Sequence, residues 1–438
     1  MIRSLPTINI NTSNTYTSNN LYKSVNFVFC LLMIAGYSLS SAAEVAPNDL
    51  TDSTSFTESE TVIDSASVEK QIQRIESEQG PFGAGLSEHL QSLATQYQND
   101  GLHEEALTVF NRAIHVQRIN GGLYDLSQAP MIEQAIQSHI AVGDWGEASK
   151  RHEHLFWLHQ RNFGQDDPRM LPILEKLSSW HLNAYSLNRG PVASHLLNAY
   201  SLLQSSVSLI STNFGENDTR LINPLRGIAI SNYYFATLTL DQIQQKATIS
   251  TGPSNAAEAE RRARLEQFAR NSYYSGKTAM LKILDIFEKN EGTDPVEVMV
   301  AQVQLGDWYT MFNLPNSAQK EYESALSLVL KNDSHEPLAQ TARDLFSKPV
   351  ALPDLPVFET EVFDNNEPHD YVLVKFDVNE RGQTRNIDII ESEPSDSVGL
   401  RVNIRRALKS AKFRPRYEDG KAVKTEGLVH RYVFPKKS

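Results

Sequence analysis

Apolar residues recur along the chain with two different periods. From about Pro81 to Ser347 they fall three and four apart, the spacing of one helix face, and this predicts a succession of α-helices. From Tyr371 the period drops to two: Val372, Val374, Phe376 and Val378 alternate with Leu373, Lys375 and Asp377, which predicts a strand with one face on a core. Arg385 to Glu391, with Ile387 and Ile389 on one face and Ile390 opposite, and Leu428 to Phe434 predict two more strands. Between them Leu400, Ile404, Ala407, Leu408 and Ala411 return to helical spacing, with Arg401, Arg405, Arg406, Lys409 and Lys412 on the remaining arc. Turn chemistry punctuates this region. A glycine turn at Asn379 to Gly382 reverses the chain, Asp396 or Ser397 caps the helix, and Asp419-Gly420 marks a tight hairpin.

The helical stretch carries the same pattern twice, at identical offsets. Leu93, Ala94, Tyr97 and Gly101 are followed by Ala106, Phe110 and Ala113; Leu305, Gly306, Tyr309 and Asn313 are followed by Ala318, Tyr322 and Ala325. Between the two copies Gly143, Ala148 and Leu155 keep some of it. Pro130, Pro172 and Pro224 recur, as do the segments Phe163 to Asp167 and Phe214 to Asp218, with a period longer than 34 residues. These positions resemble those of the tetratricopeptide repeat, in which small residues let two antiparallel helices touch and aromatics fill the groove. The resemblance implies stacked helix pairs with a concave surface that binds peptides or proteins.

The C-terminal stretch from Tyr371 to Phe434 resembles the C-terminal domain of the TonB family. Val372-x-Val374-x-Phe376-x-Val378, the glycine turn, Ala407-Leu408-x-x-Ala411-x-Phe413-x-Pro415, Asp419-Gly420-x-x-Val423 and the terminal Arg431-Tyr432-Val433-Phe434 recur in the family's order. Asn365-Asn366-Glu367-Pro368-His369 stands where that family usually has a Tyr-Pro helix. The resemblance implies a small two-layer module that takes an extended segment of an outer-membrane receptor onto a sheet edge. The last strand, Leu428, Val429, His430, Arg431, Tyr432, Val433 and Phe434, is the expected edge.

Charge is unevenly divided. Residues 369–438 hold 15 Lys and Arg against 10 Asp and Glu, whereas the whole chain carries −12. A basic module therefore follows an acidic body, which with no basic aromatic platform argues against a nucleic-acid partner. The two charges read most simply as two solvated surfaces.

At the N-terminus a polar leader precedes an apolar run from Val25 to Leu39, then Ser41-Ala42-Ala43-Glu44. This reads as a secretory signal cleaved between Ala43 and Glu44. A membrane span needs roughly 20 apolar residues, and this run is interrupted by Asn26, Gly36 and Ser38, although an uncleaved anchor is the alternative. The single cysteine, Cys30, lies inside this leader, so the mature chain has no disulfide. TonB itself keeps an anchor bearing a Ser and a His for its proton-channel partners; this run has no His.

Candidate chemistry is sparse. Arg151-His152-Glu153-His154 with His159 offers imidazoles, but His152 and His154 are two apart, and metal-binding helical pairs need a spacing of four. Asp166-Asp167-Pro168 lacks the alternating oxygens of a calcium loop and reads as a loop before a helix. Glu104-Glu105 falls early in a repeat helix, where carboxylates suit the helix dipole. With no phosphate-cradling glycine motif and no nucleophile elbow, no catalytic, cofactor-binding or metal-ligating residue is assigned.

The expected architecture is therefore α+β and multidomain: a signal (1–43), a disordered linker (44–80), a tetratricopeptide-like solenoid (81–348), a second linker (349–368) and a two-layer α/β TonB-like domain (369–438). The expected function is non-enzymatic. It is a protein-interaction role in the periplasm of a Gram-negative bacterium, or anchored in the inner membrane facing it, with a TonB-dependent receptor or other envelope protein as partner. The alternative is a repeat scaffold for envelope assembly whose groove holds a protein or peptide, the last module serving for docking or homodimerisation.

Overall fold

The computed structural model describes residues 65–238, 255–332, 335–353, 370–395 and 398–434. The leader, its cleavage position at Ala43 and Glu44, the segment 44–64, the Asn365 to His369 departure and the cap at Asp396 or Ser397 lie outside them. Among the described residues no helix is long and apolar enough to cross a membrane. Internal contacts divide the chain into two compact units, one ending at Ile173 and the other beginning at Leu174.

The first unit contains α1 (Ser65–Gln79), α2 (Leu86–Asn99), α3 (His103–Gly121), α4 (Ala129–Ala141) and α5 (Trp145–Phe163); α6 (Leu171–Ser186) begins in it. Consecutive helices pack on one another from α1 to α5. The first repeat copy behaves as its residue types require: Ala94, Ala106 and Ala113 are fully buried, Phe110 fills the space between the helices, and Tyr97 packs against them. Gly101 makes the turn from α2 to α3 at φ +77°, and Gly143 does the same between α4 and α5 at φ +79°. The expected linker 44–80 is corrected over its final stretch. Val68, Ile72 and Ile75, at spacings of four and three, make α1 amphipathic and are buried. A Ser-, Thr- and Glu-rich average concealed that stripe.

The second unit continues with α7 (Val192–Phe214), α8 (Ile222–Thr237), α9 (Asn255–Lys289), α10 (Pro295–Met311), α11 (Pro315–Lys331) and α12 (Glu336–Phe346). The first half of α9, as far as Arg270, is rich in Glu and Arg. Each recurring proline lies in the first turn of its helix, Pro130 in α4, Pro172 in α6 and Pro224 in α8, where its missing N–H has no intrahelical partner to lose. The recurring Phe-Gly segments form one device used twice. Gly164 and Gly215 end α5 and α7 at φ +85° and +104°, and Asp167 and Asp218 then accept from the N–H groups of Arg169 and Arg220. The same arginines lie over Phe163 and Phe214 at 4.3 and 3.6 Å. Arg169 holds the Asp167 carboxyl down to about 2.

In the last repeat a Cβ on Gly306 would stand 2.5 Å from the ring of Tyr322, which is buried between α10 and α11. Gly306→Val is therefore expected to lower the stability of this unit by about 1 to 3 kcal/mol through overpacking. Denaturant unfolding measures it, and an unchanged midpoint would show that the ring has room to move.

The sheet elements are β1 (Val350–Leu352), β2 (Asp370–Val378), β3 (Thr384–Glu393), β4 (Lys412–Arg414), β5 (Arg416–Glu418), β6 (Lys421–Val423) and β7 (Thr425–Phe434), with α13 (Val398–Ser410) between β3 and β4. The main sheet has the order β3-β2-β7, all antiparallel. Ile404 and Leu408 of α13 cover its inner face, burying Val372, Val374, Phe376, Val378 and Tyr432. Asp419 and Gly420, at φ +48° and +73°, close the β5–β6 hairpin. At Gly382 (φ +69°) an added Cβ would stand 1.8 Å from the carbonyl oxygen of Phe413, so this turn admits no side chain.

One further boundary is corrected: the expected linker 349–368 begins later, because Val350–Leu352 pairs with β4. Internal contacts group the repeats after Leu174 and the sheet module in one unit. Periodicity locates elements but not the contacts that join them.

Candidate partner-binding edge of the C-terminal module

The site is built from the two outer strands of the three-stranded sheet. β3 is irregular. Leu373 pairs with Glu391 and Val374 with Ile389, which leaves Ile390 bulged out and exposed. A second irregularity lies between Lys375 and Asp377, opposite Asn386 at φ +50°, whose side-chain amide donates to Asp377 at 2.7 Å. Two bulges on one strand break the repeat that a pairing partner would need.

β7 differs. From Asp370↔Phe434 to Phe376↔Leu428 its register against β2 is unbroken. Its single irregularity comes earlier, beside Gly427 (φ +69°), where Asp377 accepts from the Gly427 N–H at 2.9 Å. Among the described residues β7 pairs with β2 alone. Leu428 to Phe434 are thus seven consecutive residues of regular strand on an outer position.

Within that stretch the side chains divide by face. Leu428 packs on the core, Tyr432 is buried, and His430 is partly buried with its ring 4.5 Å from that of Tyr432; burial pushes the His430 imidazole below its ordinary value. Val429 and Arg431 are on the open face, Arg431 lying 3.8 Å over the ring of Tyr371. The side chains of Val433 and Phe434 lie outside the described residues, although their backbones pair with Tyr371 and Asp370.

The module is fixed to the last repeat by a group the sequence did not single out. Arg414, one of the unspecified positions of the Phe413-x-Pro415 motif, is 2 % exposed. Its Nε and Nη2 donate to the two carboxylate oxygens of Asp307 on α10 at 2.9 and 2.6 Å, and Nη1 donates to the Leu345 carbonyl at 3.1 Å. Tyr322 Oη donates to the same carboxylate at 2.8 Å, and burial followed by the Asp307 charge raises that phenol well above its usual value. Tyr417 of the β5–β6 hairpin enters the apolar core formed by Tyr309, Tyr322, Leu338 and Phe346. A lone arginine in a β-prone run carries no local signal of a partner 107 residues away.

The histidines singled out in the sequence have other occupations. His152 is buried, His159 contacts the Leu155 carbonyl at 2.8 Å, and His154 receives the Arg118 guanidinium at 3.1 Å. Among the described residues no group of three or more His, Cys, Asp or Glu is gathered as a metal site would require.

No family model and no curated protein matches this chain. Among solved structures it is similar to BtubC (BKLC) from P. vanneervenii at 12% identity over 69% of this chain and 97% of that one, with a TM-score of 0.36. It is also similar to a Podosopora anserina putative kinesin light chain with nearly identical TPR-like repeats, at 14% identity over 56% and 95% and a TM-score of 0.37. Among the described residues the chain itself is mainly helical, a run of α-helices followed by a small C-terminal sheet region.

Proposed function

We propose that this chain is a non-enzymatic interaction protein of the bacterial envelope, acting in the periplasm, whose β7 edge takes up an extended segment of an outer-membrane receptor as an added strand. One observation carries this reading. Of the two outer strands, β3 is broken by two bulges, and only β7 offers an uninterrupted stretch, Leu428 to Phe434. Main-chain hydrogen bonds would supply affinity, and alternate side chains selectivity. The sequence motifs from Tyr371 to Phe434 resemble those of the TonB C-terminal domain, which supports the receptor as partner class. The leader lacks the anchor histidine through which TonB engages its channel, so binding without force transmission is the expected mode.

Val429 and Arg431 flank the incoming strand on the open face. Val429→Asp and Arg431→Gln are each expected to weaken peptide binding about two- to fivefold, the range of one cross-strand pair or one solvated charge. Titration of the full chain with candidate receptor segments measures this. Unchanged affinity in both variants would remove β7 as the surface.

One observation favours a second reading, a repeat scaffold in which the sheet module is a structural end-piece: Arg414 and Tyr417 bury the module against the last repeat. Capture of partners by the full chain that persists when β7 is altered would favour it.

A further inference from the structure

We propose that the adjoining faces of α3 and α5 in the first unit form a second recognition site, for a peptide segment that presents a carboxylate beside an apolar side chain. The residues are Arg118, Tyr124, Arg151, His154, Trp157 and Arg161. The site is separate from the sheet edge and does not depend on it.

Two large aromatics are left at the surface here. Trp157 and Tyr124 are 40 % and 43 % exposed, with ring centroids 5.2 Å apart. The loop that carries Tyr124 is held in place. Gln128, fully buried, donates from Nε2 to the carbonyls of Gly122, Leu123 and Asp125 at 3.2, 3.2 and 3.0 Å, and Asn162 donates to the Tyr124 carbonyl at 2.8 Å. An aromatic platform so fixed loses little conformational freedom on binding.

The cations beside it lack counter-charges. Arg118 Nε donates to Gln128 Oε1 at 2.8 Å and its Nη2 faces His154 Nε2 at 3.1 Å. A guanidinium only donates, so that imidazole is neutral. Arg151 donates to the amide oxygen of Asn111, and Arg161 lies 5.4 Å over the ring of Tyr124. Among the described residues none of the three arginines has a carboxylate within ion-pairing distance. Elsewhere in the same unit Arg112 pairs with Glu76, Lys150 with Glu147 and Arg169 with Asp167. Burial and then the neighbouring Arg151 charge lower Arg118, and burial, Arg118 and Arg151 together lower His154. An arriving carboxylate would relieve this repulsion, while its apolar neighbour would rest on Trp157 and Tyr124. A nucleic acid is disfavoured, because the patch is short, Glu147 and Glu153 share α5 with it, and the chain is acidic overall.

The test uses the full chain and three fluorescent synthetic peptides that alternate Phe with Glu, Gln or Lys. The Glu peptide is expected to bind at least about tenfold more tightly than the Gln peptide and to weaken as salt is raised. The Lys peptide should not bind. The double change Arg151→Gln with Arg161→Gln, and separately Trp157→Ala, should each reduce binding about tenfold, while Lys150→Gln leaves it unaltered. Thermal midpoints of the variants, compared with the parent, show that they fold. Equal binding of the Glu and Gln peptides, indifference to the arginine variants, or tighter binding of a single-stranded oligonucleotide than of the Glu peptide would overturn the proposal.

Discussion

Asp307→Ala will destabilise the unit from Leu174 onward by about 3 to 5 kcal/mol, the cost of removing one member of a buried ion pair. The magnitude follows from what is stranded. Asp307 accepts two bonds from Arg414 and one from Tyr322, and without it a guanidinium 2 % exposed keeps only the Leu345 carbonyl among these partners. Arg414→Met should cost less, since Tyr322 still satisfies some of the carboxylate. The double variant Asp307→Leu with Arg414→Met should regain much of the loss, because an apolar pair carries no desolvation penalty. Denaturant unfolding of the parent, Asp307→Leu, Arg414→Met and the double variant closes the cycle and gives the coupling directly. A coupling near zero would mean that the module is held by Tyr417 and its neighbours alone.

Lowering the pH from 7 towards 4 will weaken the same unit, and His195 will account for a large share of the change. His181 and His195 meet Nδ1 to Nδ1 at 2.8 Å and are both buried, so one ring donates and the other accepts. Burial pushes the His195 imidazole down to about 4. The unfolded chain, with an ordinary histidine near 6.5, then binds more protons than the folded one between those two values. Stability is therefore intact above about 6.5 and falls as the pH drops to about 4, by roughly 3 kcal/mol if this group acted alone. His430, lowered by burial, adds in the same direction. Carboxylates such as Asp377, whose pKa is lowered first by the Gly427 N–H, contribute only at lower pH. Unfolding free energies measured across this range for the parent and for His195→Gln test the assignment. A variant with the same pH slope as the parent would refute it.

Much of the fold was legible in the sequence because its signals are local. The alternation from Val372 to Val378, the helical spacing of Ile404, Ala407 and Leu408, and the Asp419-Gly420 turn each report a backbone conformation through a neighbouring side chain. The repeat copies were legible for a similar reason: a small residue opposite an aromatic, as Gly306 opposite Tyr322, is a packing requirement written in two residue types. What escaped was non-local or averaged away. Val68, Ile72 and Ile75 were hidden within a polar composition. The Arg414–Asp307 bond joins distant segments with nothing at either end to announce it. At the candidate edge, the sequence marked Leu428 to Phe434 as a strand. The bulges at Ile390 and Asn386, which distinguish β3 from β7, depend on pairing register and cannot be read from either strand by itself.

Whether an extended peptide adds to β7 is tested most directly by amide hydrogen exchange of the full chain, with and without a saturating receptor segment. Slowed exchange at backbone amides within Leu428 to Phe434, with β3 unchanged, is the expected result, because strand addition gives outward-facing amides of the edge a new acceptor. Protection confined to β3 or α13, with β7 unaffected, would contradict it.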